Sequence, residues 1–196
     1  MNTNNGEQPD LKGRTVALMA THGYEHSELT EPIKALKEAG AKVDVISLKK
    51  EPIKGWSKGD WHGTTDVDRT VGEVFADQYD ALVLPGGVIN PDKLRADRKA
   101  VDLVKAFVNA GKPVAAICHA GWLLAEADVV RDRTVTSYGS VSTDLRNAGA
   151  HWVDQEVVED GGLITSRDPN DLPAFNARII QALAATAAVE APHTHK

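Results

Sequence analysis

The chain has 196 residues, of which 42% are hydrophobic and 26% charged, with a formal net charge of −6 and a single cysteine. That length suffices for one domain with a real core and no disulfide or metal staples, and one cysteine, with no basic-then-apolar leader before it, points to a reducing cytoplasm. An acidic balance disfavours nucleic acid as a partner, and no apolar run approaches the roughly 20 residues of a membrane span.

Residues 1–14 are polar without an apolar period and read as a flexible leader. Residues 15–188 read as one domain and residues 189–196 as a tail. Residues 15–20 (TVALMA) predict a buried strand, residues 29–39 an amphipathic helix closed by Gly40, and residues 42–47 (KVDVIS) a second strand. This β-α-β order with short joins implies parallel strands and a right-handed crossover. Pro32 predicts a helix start or a bend. Either way Glu25 and Glu28 fall near the carboxyl end of the first strand.

Residues 50–62 have no clear period and read as a loop, with Trp56 and Trp61 packed onto the body or a partner subunit. The lysines at 49, 50, 54 and 58 are interrupted by Glu51 and Asp60 and read as a solvated face. Residues 64–71 predict a short strand or hairpin arm. Residues 81–84 (ALVL) are the next buried strand, ended by Pro85-Gly86-Gly87, a backbone able to turn tightly and present bare N–H groups. Asn90-Pro91-Asp92 reads as a helix start with Asn90 as the cap. Residues 98–110 form a stronger helix with Val101, Val104, Ala106, Phe107 and Val108 on its apolar face.

Residues 113–117 then predict a short buried strand, and Trp122-Leu123-Leu124-Ala125 begins a helical pattern, so Cys118 falls on the turn between them. A side chain on such an elbow projects into the crevice at the strand's carboxyl end. The unpaired N–H groups and positive end of the following helix would favour a thiolate and cradle an oxyanion. A buried structural cysteine is the alternative. Beyond the elbow, residues 134–137, 156–158 and 163–165 predict short strands, residues 141–148 a helix, and residues 171–188 a final helix capped by Asn170 or Asp171. The whole predicts an α/β doubly wound sandwich, mostly parallel, with helices on both faces.

In this order the segments YEHSEL, LVLPGG, AAICHAGWLL, TSYGSVSTDLRNAG and VVEDGGLITSRDPNDLPAF closely resemble the PfpI-type intracellular cysteine peptidases, within the superfamily of the parkinsonism-associated deglycase. The resemblance runs from about residue 15 to 183. It implies a flavodoxin-like, class I glutamine-amidotransferase-like fold that assembles into a homodimer or homohexamer. It also implies Cys118 as nucleophile, His119 as its neighbouring base and Glu28 as the acid contacting the thiol. Gly86-Gly87 would be the turn whose Gly87 N–H, with that of His119, receives the oxyanion. Tyr138 matches a tyrosine near the site, and Asp92 best matches a carboxylate supplied by a neighbouring subunit. The H-x-E pair of the glutaminase relatives has no counterpart, since His151 is followed by Trp152 and Val153.

A carboxylate beside a thiol suppresses its ionisation, whereas a protonated carboxyl can donate to sulfur, so Glu28 is expected to be buried and protonated. His119 has an alternative as an elbow residue satisfied by backbone. Glu25 reads equally as a pocket residue or a helix-start carboxylate. His22 and His26 are four apart, but no third ligand lies at suitable spacing, so no metal is expected. No cofactor is expected either, because G-x-G-x-x-G, P-loop, H-E-x-x-H and G-x-S-x-G motifs are all missing. The expected activity is a cytoplasmic, stress-related attack of the Cys118 thiolate on a carbonyl of a glycated protein or nucleotide, of methylglyoxal or of a peptide. Deglycase or glyoxalase-like chemistry leads, intracellular peptidase follows, and a redox sensor or chaperone using the same sulfur is the non-enzymatic alternative.

Overall fold

The structure, a computed structural model, describes residues 9–190. In chain order the elements are β1 (Thr15–Met19), β2 (Tyr24–Glu25), α1 (His26–Glu38), β3 (Lys42–Ser47), β4 (Ile53–Ser57), β5 (Asp60–Thr65) and β6 (Arg69–Thr70). There follow β7 (Ala81–Leu84), α2 (Ile89–Arg95), α3 (Arg98–Asn109), β8 (Val114–Ile117), α4 (Gly121–Glu126) and β9 (Thr134–Val135). The chain closes with α5 (Ser142–Asn147), β10 (His151–Trp152), β11 (Val157–Asp160), β12 (Leu163–Ser166) and α6 (Leu172–Glu190).

Seven strands form the central sheet in the order β11-β12-β8-β7-β1-β3-β6. All neighbours are parallel except the antiparallel β11 and β12. Apolar residues run continuously through β1, β7 and β8 because both faces are covered. Ala17, Met19, Leu82 and Ala116 pack with Val104 and Phe107 of α3 and Leu123 and Leu124 of α4. Val16, Leu18, Val83 and Ile117 pack on the other face with Leu29 and Leu36 of α1 and Phe175, Ile179 and Leu183 of α6. This is the flavodoxin-like sandwich expected from the sequence. Among the described residues no helix is long and apolar enough to cross a membrane.

Several local expectations are corrected. Of the leader, residues 1–8 lie outside the described residues, but residues 9–14 do not hang loose: Leu11 is buried and its N–H donates to the Ala39 carbonyl at 2.7 Å. Helix α1 begins at His26, well before Pro32, and runs through it. The 50–62 loop is a hairpin, β4 against β5, joined to β2, in which Trp56 and Trp61 stand opposite and pack edge to face on each other. On α3, Leu103 is buried and Ala106 is exposed, so the apolar face is rotated from the predicted one. Ahead of α6, a single 3-10 turn (Pro169–Asp171) is capped by Asp168, while Asp171 is bound by Arg167. The tail beyond residue 190 lies outside the described residues.

Candidate active site

The sheet order β8-β7-β1 brings the carboxyl ends of three strands side by side; β8 and β7 open directly into segments of the candidate site, and β1 leads to it through β2 and α1. From β8 comes Cys118, at φ +63 on the strand-to-helix turn. A non-glycine residue in that left-handed region costs about 1–2 kcal/mol, strain of the kind that gathers at functional turns. The residue is buried, with 7% of its surface exposed.

Glu28, in the first turn of α1 behind β1, has no exposed surface. Its Oε2 accepts from the Gly86 N–H at 2.8 Å. The carboxyl and the Cys118 side chain flank the same spot at Gly86 and interact electrostatically, and Oε1 has no hydrogen-bond partner among the described residues. Burial pushes this carboxyl up to about 8; the Gly86 N–H pulls it down, and the neighbouring Glu25 charge adds to the rise. With its pKa raised to about 8, this carboxyl favours its protonated form at neutral pH.

The thiol departs from expectation. Burial pushes Cys118 up, an ionised Glu28 would push it further, and the N–H groups of His119 and Gly87 pull it down without offsetting the rise. Helix α4 has only six residues, too few for a strong macrodipole. The elbow therefore does not by itself produce a thiolate. What it supplies is a sulfur flanked by a protonated carboxyl, two N–H groups and an imidazole.

That imidazole is His119, whose Nδ1 lies 3.2 Å from Sγ. The ring stacks on Tyr138 with centroids 4.8 Å apart and meets Trp122 edge-on at 5.1 Å. Its Nε2 is 3.4 Å from the Ser140 hydroxyl. Burial lowers its pKa, leaving a neutral ring able to take a proton. Tyr138 is 43% exposed and its N–H donates to the Cys118 carbonyl at 3.3 Å, so it both walls the site and ties the elbow to the segment before α5.

The Gly86-Gly87 turn after β7 closes the third side. A Cβ on Gly86 would sit 2.5 Å from Glu28 Oε2 and 2.7 Å from Cys118 Cβ; one on Gly87, at φ +82, would sit 2.5 Å from the Gly23 carbonyl. Only glycine fits either place. Glu25 joins through its backbone: its N–H donates to the Gly86 carbonyl at 3.2 Å, while its carboxylate accepts from the Ser27 hydroxyl at 3.3 Å.

Asp92 is not brought in. It is exposed on α2 and makes no hydrogen bond or ion pair to Cys118 or His119 among the described residues. His22 accepts from the Lys54 N–H at 3.1 Å, and His26 packs edge-on against His62, so the two share no site. Two residues escaped the sequence reading. Ser140 carries no motif of its own. Asn90 is not the cap of α2, a place taken by Val88; it is fully buried, reaching back to the glycine turn.

The family model described as the DJ-1/PfpI family matches residues 14–182. A relative from Escherichia coli named protein/nucleic acid deglycase 2 is 42% identical over 173 residues, which is 88% of this chain and 99% of that one. General stress protein 18 of Bacillus subtilis is 45% identical over 168 residues, 84% of this chain and 94% of that protein. Among solved structures, DJ-1beta of Drosophila melanogaster superposes with a TM-score of 0.80 at 30% identity, covering 91% of this chain and 99% of the other.

Proposed function

Since the chain belongs to the DJ-1/PfpI family, we propose that it is a cysteine-dependent hydrolase in which Cys118 attacks the electrophilic carbonyl of a glycated or methylglyoxal-derived adduct. The observation that supports this reading most is the buried Glu28 carboxyl, held near pKa 8 beside the sulfur. A proton kept there at neutral pH is available to the oxygen of a carbonyl as sulfur adds to its carbon.

In that step Sγ gives its proton to His119 Nδ1, 3.2 Å away, and forms a bond to the carbonyl carbon while the π pair moves onto oxygen. The N–H groups of Gly87 and His119 face the sulfur and receive the oxyanion. Glu28 protonates that oxygen and becomes a carboxylate, which leaves a neutral hemithioacetal on Cys118 and the thiol's proton on His119. Every group required comes from one chain. The name of the Bacillus relative supports a role under stress, and a lone thiol nucleophile suits the reducing cytoplasm.

Peptide hydrolysis is the second reading, favoured by the short Sγ to Nδ1 distance. A Cys-His-acid relay would need Asp92 from a second copy of this chain, because Asp92 does not reach His119 within one, so that reading requires a homo-oligomer. Incubation with methylglyoxal, with a glycated amino acid and with unfolded peptide, each beside Cys118→Ser, separates the two. The carbonyl reading expects Cys118-dependent loss of the first two and an intact peptide. Peptide cleavage without carbonyl turnover would replace it with the peptidase.

A further inference from the structure

The glycine turn that faces both Glu28 and Cys118 has no side chains to hold it, and a Gly-Gly peptide is the backbone most free to rotate. Something else must fix it. Asn90, fully buried on α2, sends its side-chain amide to both carbonyls of the turn: Nδ2 donates to Pro85 O at 2.9 Å and to Gly86 O at 3.0 Å. Its Oδ1 accepts from the Thr21 N–H at 2.7 Å, just beyond β1. All three hydrogen bonds are buried and shielded from water, conditions under which they count most.

The geometry of the peptide unit turns these contacts into a statement about the site. In a trans peptide the C=O and the N–H point in opposite directions. The unit joining Pro85 to Gly86 has its carbonyl on Asn90 and its N–H on Glu28 Oε2. The next unit, Gly86 to Gly87, has its carbonyl on Asn90 at 3.0 Å and on the Glu25 N–H at 3.2 Å, so its N–H points the opposite way, to the side on which it lowers the Cys118 thiol. Asn90 thus holds the carbonyl of the first plane and shares that of the second with the Glu25 N–H, fixing two successive peptide planes whose N–H groups point the other way.

We propose that Asn90 is the positioning residue that locks the Gly86-Gly87 turn with both N–H groups aimed into the site, and that without its amide donor the turn rotates and the oxyanion site is lost. The inference rests on the reading of Cys118 as nucleophile only for its catalytic consequence; the locking of the turn stands apart from it.

Asn90→Asp is the incisive variant, since it preserves size and the acceptor for Thr21 but sets an oxygen against the two carbonyls. Three measurements are compared with wild type: the amide signals of Gly86 and Gly87 in a nitrogen-15 NMR spectrum, the pH dependence of Cys118 alkylation by iodoacetamide, and kcat and KM on the carbonyl compound turned over. The amide signals are expected to move, the alkylation midpoint to rise by about one pH unit as a hydrogen bond to sulfur is lost, and kcat to fall about 100-fold, as for removal of one oxyanion donor, with KM little changed. Ile179→Val, on the buried face of α6, controls for general loosening and is expected to leave the alkylation profile in place. Should Asn90→Asp fail to fold, Asn90→Ser, which restores one donor, is expected to give the same shifts in smaller measure. A folded variant with wild-type glycine amides and a wild-type alkylation profile overturns the proposal. Shifts in both without carbonyl turnover by wild type would support the lock and remove the proposed function instead.

Discussion

A carboxyl with no exposed surface and one N–H donor on its oxygens is better accommodated protonated than charged, and in Glu28 this raises the pKa from an ordinary 4.5 to about 8. The same shift links stability to pH. Between those values the unfolded chain releases the proton and the folded chain holds it. The stabilisation from holding it is therefore complete below about 4.5 and is lost as pH climbs toward 8. Glu28→Gln, which cannot ionise, removes this dependence. Its urea midpoint is expected to change less between pH 5 and pH 8 than that of wild type; parallel curves would show that Glu28 ionises in the folded chain as it does in the unfolded one.

Strands β1, β7 and β8 were legible as unbroken apolar runs because the sheet is covered on both faces, and α3 by its period even though Leu103 replaces Ala106 on the buried side. The β4–β5 hairpin was not. Most of its residues are exposed, a register shift between Lys54 and Gly55 breaks the alternation, and its two tryptophans pack on each other. Nor does any pattern announce the tie between β12 and α6, where Arg167 donates to both oxygens of the buried Asp171 at 2.8 and 2.9 Å and to Asp154 at 2.9 Å. Burial alone would raise Asp171, but the Arg167 hydrogen bonds prevail and hold it below its ordinary 3.8. Its contribution is present above that value and is lost as pH falls through the lower folded one. Asp171→Asn is expected to cost about 1–3 kcal/mol at pH 7 and progressively less toward pH 3, measured by urea unfolding. An equal cost at both pH values would remove the ion pair from the account.

Across the whole molecule, the candidate site is assembled from the turns after β8 and β7 and from the start of α1, which lies beyond β1, where the carboxyl ends of an open α/β sheet meet. That is why Cys118, Gly86-Gly87 and Glu28 could be picked out together: each stands just after an apolar run or in the helix that follows it. Asn90 and Ser140 could not, because what makes them matter is where a buried amide and an exposed hydroxyl end up in space. Asp92 marks the other boundary, for it points to chemistry only if a second copy supplies it. Within one chain, the fold delivers a single sulfur beside a retained proton. Titration of the Glu28 carboxyl by carbon-13 NMR, assigned by the signal lost in Glu28→Gln, tests this directly. A midpoint near 8 is expected; a midpoint near the ordinary 4.5 would leave a carboxylate facing Cys118 at neutral pH and contradict the account.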